Sequence, residues 1–157
     1  MRTEKATFAA GCFWGPDHKF SKVPGIIATA VGYMGGQTDK PTYEEVCTDE
    51  TGHAEVVQLD FDPGKVTYEA LVRKFFDIHN PTQLNRQGPD QGAQYRTGIF
   101  CHSPQQKEVA EQVKAELNKT RFGGRIVTEI VPAQTFWRAE EYHQKYGEKH
   151  PGHHCTL

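Results

Sequence analysis

Four cysteines are the residues of this chain with the widest range of possible chemistry, and they lie far apart. They are Cys12, Cys47, Cys101 and Cys155 in a chain of 157 residues. No two of them form a Cys-x-x-Cys pair, which argues against both a thioredoxin-type motif and a paired-cysteine zinc knuckle. In a reducing compartment disulfides are usually transient and catalytic, so each cysteine needs its own explanation.

Cys12 is the cysteine best placed for nucleophilic chemistry. It follows Gly11, at the point where a predicted strand gives way to a predicted helix. Unpaired N–H groups and the positive end of the helix dipole favour a thiolate at such a place. The neighbouring Phe13 and Trp14 would form an aromatic wall beside it. On position alone, a catalytic nucleophile and a buried structural thiol remain open.

The other three cysteines suggest different roles. Cys47 follows two glutamates whose charges oppose a thiolate, and Cys101 falls on a predicted strand, so both are expected to be structural. Cys155 lies in a His-containing tail, 148–157. That tail is either a mobile arm that delivers a second thiol or a His and Cys metal cluster. We expect the arm and no metal, because the tail lacks the two separated ligand pairs of structural zinc sites.

The elements that must position these residues alternate between strands and helices. Apolar or alternating runs predict strands, and apolar residues repeating at i and i+4 predict helices. The predicted strands are 5–10, 26–33, 54–62, 96–102 and 126–131. The predicted helices are 12–23, a short one from a capping box at 42–45, 68–79, one capped by Ser103 that ends before 123–124, and 139–146. This order predicts an α+β two-layer sandwich with a ferredoxin-like mixed sheet core and an irregular C-terminal tail.

Length and composition limit the classes of protein. The length fits one domain, 1–157, with 148–157 as its mobile tail. A net charge of −2 gives no basic field for nucleic acid or acidic membranes. The apolar runs are too short for a membrane span, and the charged start has no apolar block of a secretion signal. Without a secretion signal we expect a cytoplasmic protein. We further expect a monomer without a cofactor.

The residues around Cys12 resemble a family signature. Gly11-Cys12-Phe13-Trp14-Gly15 is similar to the signature of the A-type peptide-methionine sulfoxide reductases, which act on the S epimer. Further blocks agree in the same order at 41–44, 51–57, 85–88, 90–96 and 136–144. The resemblance runs from about residue 8 to residue 146, which is nearly the whole chain.

The resemblance implies the groups that carry the reaction. Cys12 would attack the sulfoxide sulfur, and Glu55 would give the departing oxygen its proton, a task that suits a desolvated acid. Tyr43 and Tyr95 would hydrogen-bond the sulfoxide oxygen. Read without the resemblance, Glu55 is a solvated carboxylate at a strand end, and each tyrosine is a core residue.

The resemblance also implies a binding pocket for the substrate. Phe13 and Trp14 would form an apolar wall for the methyl group of the sulfoxide. Asp90 would support the substrate or the tyrosines through hydrogen bonds. It lies in a long polar loop, 82–94, and loops of this length in compact domains are more often functional than idle.

Recycling would follow from the product on the enzyme. Attack converts Cys12 to a sulfenic acid and releases methionine. The reaction would thereby repair oxidised methionine in proteins or as the free amino acid. Cys155 would resolve the sulfenic acid as a disulfide, and thioredoxin would reduce that disulfide. Some family members use two distal cysteines where this tail has one, and Cys101 is the alternative resolver.

The chain departs from the family pattern at two places. Asp17, after Pro16, replaces a Glu that the family usually carries two residues after Gly15. Residues 48–50 replace a Gly-containing segment, which we interpret as a change at the substrate rim.

Two other functions remain open. One is a cysteine hydrolase or transferase that uses a Cys12–His53 dyad. The other is a metal-binding or redox-responsive module that uses the His-rich tail.

Overall fold

Strand pairing defines the architecture of the part of the chain that the structure describes. The structure is a computed structural model, and it describes residues 3–11, 14–36, 40–47, 51–87 and 90–140. The strands are β1 (Glu4–Ala10), β2 (Ile26–Met34), β3 (Ala54–Phe61), β4 (Arg86–Gln87), β5 (Asp90–Gln91), β6 (Thr97–Cys101), β7 (Glu129–Pro132) and β8 (Trp137–Arg138). The helices are α1 (Trp14–Ser21), α2 (Tyr43–Cys47), α3 (Tyr68–Asp77) and α4 (Pro104–Thr120).

Six of the strands form one mixed sheet in the order β7-β6-β1-β3-β2-β8. In its four central strands, β6-β1-β3-β2, each strand is antiparallel to its neighbours. These strands come from a β-α-β-β-α-β succession along the chain, which is the ferredoxin-like arrangement. β7 adds to β6 in parallel, and β8 adds to β2 antiparallel. The predicted α+β sandwich with a mixed sheet is therefore confirmed.

Local capping signals explain where the helices begin. Thr42 and Glu45 exchange reciprocal bonds, with the Thr42 N–H donating to Glu45 Oε1 at 3.0 Å and the Glu45 N–H to Thr42 Oγ1 at 3.2 Å. Ser103 Oγ accepts the Gln106 N–H at 3.2 Å at the start of α4. Both caps satisfy N–H groups that a first helical turn leaves without partners, as the sequence predicted.

The core lies between the helices and one face of the sheet. Phe8 on β1 stacks against Phe20 of α1 and Phe75 of α3, with ring centroids 5.3 and 5.2 Å apart. Each ring is fully buried, and burying a side chain of this size contributes about 2 kcal/mol. The opposite face carries a smaller cluster, which includes Met34 and Phe100 and is covered by Phe136.

Two predicted elements, the helix at 12–23 and the strand at 126–131, begin at different residues in the structure. α1 begins at Trp14, and residues 12 and 13 lie outside the described residues. β7 begins at Glu129 instead of residue 126, because the Ile126 N–H donates to Asn118 Oδ1 and the Val127 N–H to the Pro81 carbonyl. These bonds use groups that would otherwise pair with β6.

The last predicted helix, 139–146, is wrong at its start. β8 pairs with β2, and the Ala139 N–H continues that association by donating to the Val31 carbonyl at 2.9 Å. The rest of that helix and the tail 148–157 lie outside the described residues. Within the described ranges, no helix has the length and apolar character needed to cross a bilayer.

Candidate functional site

The strand directions bring several of the predicted site residues that the structure describes to one end of the sheet. β1 and β2 end there, whereas the antiparallel β3 and β6 begin there. The end of β1 is Ala10, opposite Thr97, and it leads through Gly11 toward Cys12. Glu55 is the second residue of β3, and Tyr95 comes two residues before β6. Residues that are distant in sequence therefore share this end, which we call the Gly11 end.

Glu55 is buried at the Gly11 end, with 1% of its surface exposed. It is the register partner of Tyr33 on β2, so both side chains lie on the same face of the sheet. That face also carries Val57 and Leu59 in the main core. The expectation of a solvated strand-end carboxylate is therefore wrong, because neighbouring core side chains surround this position. Removal from water favours the protonated form of a carboxyl group.

Tyr43 reaches the same end from α2, which follows β2. Its side chain is half-buried and packs against the main core. Its backbone N–H donates to Glu140 Oε2 at 3.1 Å, and Glu140 Oε1 accepts the phenol hydrogen of Tyr33 at 3.1 Å. The short α2 is thereby fastened at its first residue.

Tyr95 ends a 3₁₀-helical turn, Ala93–Tyr95, that packs against β3. The Gly92 N–H donates to the Asn85 carbonyl at 2.9 Å, and the Tyr95 N–H donates to the Gly92 carbonyl at 3.0 Å. The described parts of the loop predicted at 82–94, namely 82–87 and 90–94, are thus held by their own hydrogen bonds and by the pairing of β4 with β5. It holds the half-buried Tyr95 beside the strand that carries Glu55.

The same loop packs directly against the residue that precedes Cys12. Gly11 has a φ of +85°, and a Cβ there would lie 2.6 Å from Gln87 Cγ. Gln87 is buried, and it bonds both the N–H and the carbonyl of Asn80. Gly11 is therefore required both by its left-handed backbone and by this close approach.

A buried histidine supports the base of the loop. His79 Nδ1 lies 2.6 Å from the Phe75 carbonyl, and Nε2 lies 2.7 Å from Thr97 Oγ1. Thr97 Oγ1 is in turn 2.8 Å from Thr128 Oγ1. Burial lowers the pKa of His79 to about 4, so the ring is neutral at neutral pH. Nδ1 then donates to the carbonyl and Nε2 accepts from Thr97. Sequence reasoning missed this group, because Thr97 and Thr128 come from parts of the chain far from His79.

His53 is bonded to the backbone of the segment that follows β2. It is buried, and its Nδ1 accepts the Gly36 N–H at 3.0 Å. In the neutral ring Nε2 therefore carries the proton and is a donor. The hydrolase alternative needs a nitrogen that can accept a proton from the thiol, and this ring presents no such nitrogen.

Asp17 joins α1 to the sheet. It is 1% exposed, and Oδ1 accepts the Thr29 hydroxyl hydrogen at 2.6 Å. Thr29 lies on β2, so this bond fixes the first turns of the helix that follows Cys12. Asp17, which replaces the glutamate of the family pattern, therefore has a structural partner on β2.

Cys101 lies at the far end of β6. It lies four positions after Thr97, which is about 13 Å along a strand. It is buried, and burial raises the pKa of its thiol. A thiol that is distant and held protonated is poorly suited to resolve a sulfenic acid at the Gly11 end.

The remaining predicted site residues are placed only in part. Trp14 is the first residue of α1, Asp90 is the first residue of β5, and Cys47 is the last residue of α2. Cys12, Phe13 and Cys155 lie outside the described residues. Among the residues that the structure describes, no three His, Cys, Asp or Glu side chains form a group that could hold a metal ion.

Comparison with known proteins gives a consistent result. A family model described as "Peptide methionine sulfoxide reductase" matches residues 4–157. The chain is 57% identical to a peptide methionine sulfoxide reductase MsrA of Methanoculleus marisnigri, over 97% of this chain and 93% of that protein. It is 58% identical to the MsrA of Geobacter sulfurreducens, over 97% of this chain and 94% of that protein.

Solved structures of methionine sulfoxide reductases also resemble the chain. Mxr1 from Saccharomyces cerevisiae in reduced form has a TM-score of 0.93 at 39% identity, covering 98% of this chain and 89% of that one. Methionine sulfoxide reductase A of Corynebacterium diphtheriae has a TM-score of 0.87 at 41% identity, covering 98% and 77%. Mxr1 in complex with Trx2 has a TM-score of 0.67 at 28% identity, covering 92% and 85%.

Proposed function

Because the chain belongs to the peptide methionine sulfoxide reductase family, we propose that it reduces methionine S-sulfoxide through a sulfenic acid on Cys12. The reduction of methionine sulfoxide is the activity of the family, and the residues and steps are what we propose. The observation that carries the proposal is the burial of Glu55 at the end of the sheet where β1 leads into Cys12. Glu55 is thus a desolvated acid at the end of the sheet from which the chain continues through Gly11 to Cys12, and this supports the proposal.

In the first step the Cys12 thiolate attacks the sulfoxide sulfur while Glu55 supplies a proton to the oxygen. The attack forms a bond between the Cys12 sulfur and the substrate sulfur. The protonated oxygen then transfers to the cysteine sulfur, and both the sulfur–oxygen bond of the substrate and the new sulfur–sulfur bond break, which releases the thioether. Cys12 is oxidised by two electrons to the sulfenic acid, and the sulfoxide is reduced by two electrons to the thioether of methionine. Burial favours the protonated form of a carboxyl group, and this suits the proposed role of Glu55 as proton donor to the oxygen.

The two phenols are the proposed donors to the sulfoxide oxygen. Tyr43 lies on the helix after β2, and Tyr95 lies on the turn before β6, so both elements approach the end that carries Glu55. A prearranged donor stabilises the negative charge that develops on the oxygen as the sulfur is attacked. Phe13, Trp14 and Asp90 are proposed, from the family resemblance, to hold the methyl group and to orient the polar groups.

In the second step the Cys155 thiol condenses with the sulfenic acid. A disulfide bond forms and water leaves. A thioredoxin dithiol then reduces this disulfide by exchange and becomes oxidised itself. The buried position of Cys101 far from the Gly11 end favours Cys155 as the resolver, and the solved complex of Mxr1 with Trx2 supports thioredoxin as the reductant.

The test uses resolved epimers of methionine sulfoxide with dithiothreitol as reductant. We expect methionine from the S epimer only, and we expect Cys12→Ser to abolish its formation. Cys101→Ser is the matched control, because it removes a buried thiol at the far end of β6 and should keep the activity. Equal activity in Cys12→Ser and the wild type would exclude Cys12 as the nucleophile.

A further inference from the structure

Glu140 joins two tyrosines on different elements with one carboxylate. Oε1 accepts the phenol hydrogen of Tyr33 at 3.1 Å, and Oε2 accepts the backbone N–H of Tyr43 at 3.1 Å. Tyr33 is fully buried and is the register partner of Glu55. One side chain therefore connects the first residue of α2 with the direct neighbour of the proposed acid.

The backbone around Glu140 is held in place by the sheet. β8 pairs with β2 through Gly32 opposite Arg138, and the Ala139 N–H donates to the Val31 carbonyl at 2.9 Å. A Cβ at Gly32 would lie 2.3 Å from the Trp137 carbonyl oxygen, so the two strands approach as closely as glycine permits. Glu140 follows directly after β8 and Ala139, so the position of its backbone is set by their bonds to β2.

The position of α2, the helix that carries Tyr43, depends on contacts with the rest of the protein. α2 has five residues, and a helix of that length is not stable without external contacts. Its first turn is fastened by two carboxylates. The exposed Glu45 holds the Thr42 N–H, whereas Glu140 holds the N–H of Tyr43 itself.

We propose that Glu140 is a positioning residue that sets the phenol of Tyr43 against the sulfoxide oxygen. The inference rests on the role of Tyr43 in the proposed function and adds the group that fixes it. A shift of the first residue of α2 would move the phenol away from the developing charge, where its hydrogen bond counts most. Loss of Glu140 should therefore lower kcat more than it raises KM.

The test is a double-mutant cycle with Glu140→Ala and Tyr43→Phe, assayed with the S epimer and dithiothreitol. We expect Glu140→Ala to lower kcat about tenfold, equivalent to about 1.4 kcal/mol, with KM changed less than about twofold. In the Tyr43→Phe background the same substitution should lower kcat less than about twofold, because the phenol that it positions is already absent.

Two variants separate positioning from charge and from general helix capping. Glu140→Gln keeps an oxygen for the Tyr43 N–H and an amide for the phenol oxygen of Tyr33, so kcat should stay within about twofold of the wild type. Glu45→Ala removes the exposed fastening of the Thr42 N–H but keeps the bond from the Tyr43 N–H to Glu140, so kcat should fall much less than in Glu140→Ala.

Specific results would overturn the inference. It fails if Glu140→Ala lowers kcat equally in both backgrounds, or if Glu140→Gln is as impaired as Glu140→Ala. If Tyr43→Phe has the kcat of the wild type, the role of Tyr43 fails and this inference fails with it. The assignment of Cys12 is unaffected in every case, since Cys12→Ser tests it separately.

Discussion

Replacing His79 with glutamine should change how the stability of the protein depends on pH. The buried ring has a pKa of about 4, below its ordinary value of 6.5, because burial disfavours the charged form. Glutamine can donate to the Phe75 carbonyl and accept from Thr97, and it does not titrate. The substitution therefore removes the titration and can keep the two hydrogen bonds.

The sign and size of the effect follow from linkage between protonation and unfolding. Between pH 6.5 and about 4, His79 binds a proton in the unfolded chain but not in the folded chain. The free energy of unfolding therefore falls as the pH falls. The full difference between the two pKa values corresponds to about 3 kcal/mol, at about 1.36 kcal/mol per unit. About 2 kcal/mol of this should be lost between pH 8 and pH 5.

Urea unfolding at pH 8 and pH 5 measures this loss. At a slope of about 2 kcal/mol per molar urea, the wild-type midpoint should fall by about 1 M more than that of His79→Gln. His102→Gln is the matched control, since the pKa of His102 is also lowered by its surroundings but the residue is exposed overall. Its midpoint should change with pH almost as the wild type does. Parallel pH profiles for the wild type and His79→Gln would refute the reasoning.

Three further substitutions test the site. Glu55→Gln should lower kcat for the S epimer about a hundredfold or more with little change in the urea midpoint, because it removes the proton donor and keeps the shape; an unchanged kcat would contradict the role of acid. Gly11→Ala should cost about 1–2 kcal/mol for the left-handed backbone plus the cost of contact with Gln87, measured by urea unfolding. Gly124→Ala, at a φ of +81° with open space around it, is its control and should cost only the backbone part; equal losses would exclude the contact. Cys155→Ser should give one equivalent of methionine in a single turnover but lose thioredoxin-supported turnover, and full turnover would point to another resolver.

The local features of the fold were predictable because their causes lie within a few residues. The capping box of Thr42 and Glu45 spans one helical turn, and its two bonds form as expected. The alternation of β3 places Val57, Leu59 and Phe61 in the core, as the period of two predicts. The order of these elements was sufficient to predict the ferredoxin-like sheet, since few topologies are compatible with it.

The site was predictable only in part, through the resemblance around Cys12. Residue pattern alone placed Glu55 in water, because a glutamate at a strand end is ordinarily solvated. Its burial depends on the pairing with Tyr33, which comes from a strand more than twenty residues earlier. No pattern near Glu55 in the sequence indicates that pairing.

The groups that hold the site in shape depend on the tertiary structure. His79 meets Thr97 from 18 residues away, and Glu140 meets Tyr33 from 107 residues away. The sequence by itself determined which side chains could do the chemistry and which elements carry them, because nucleophilicity, capping and periodicity are local properties. Only the folded sheet decided which of them become buried, bonded and adjacent, because strand pairing joins residues that no local interaction connects.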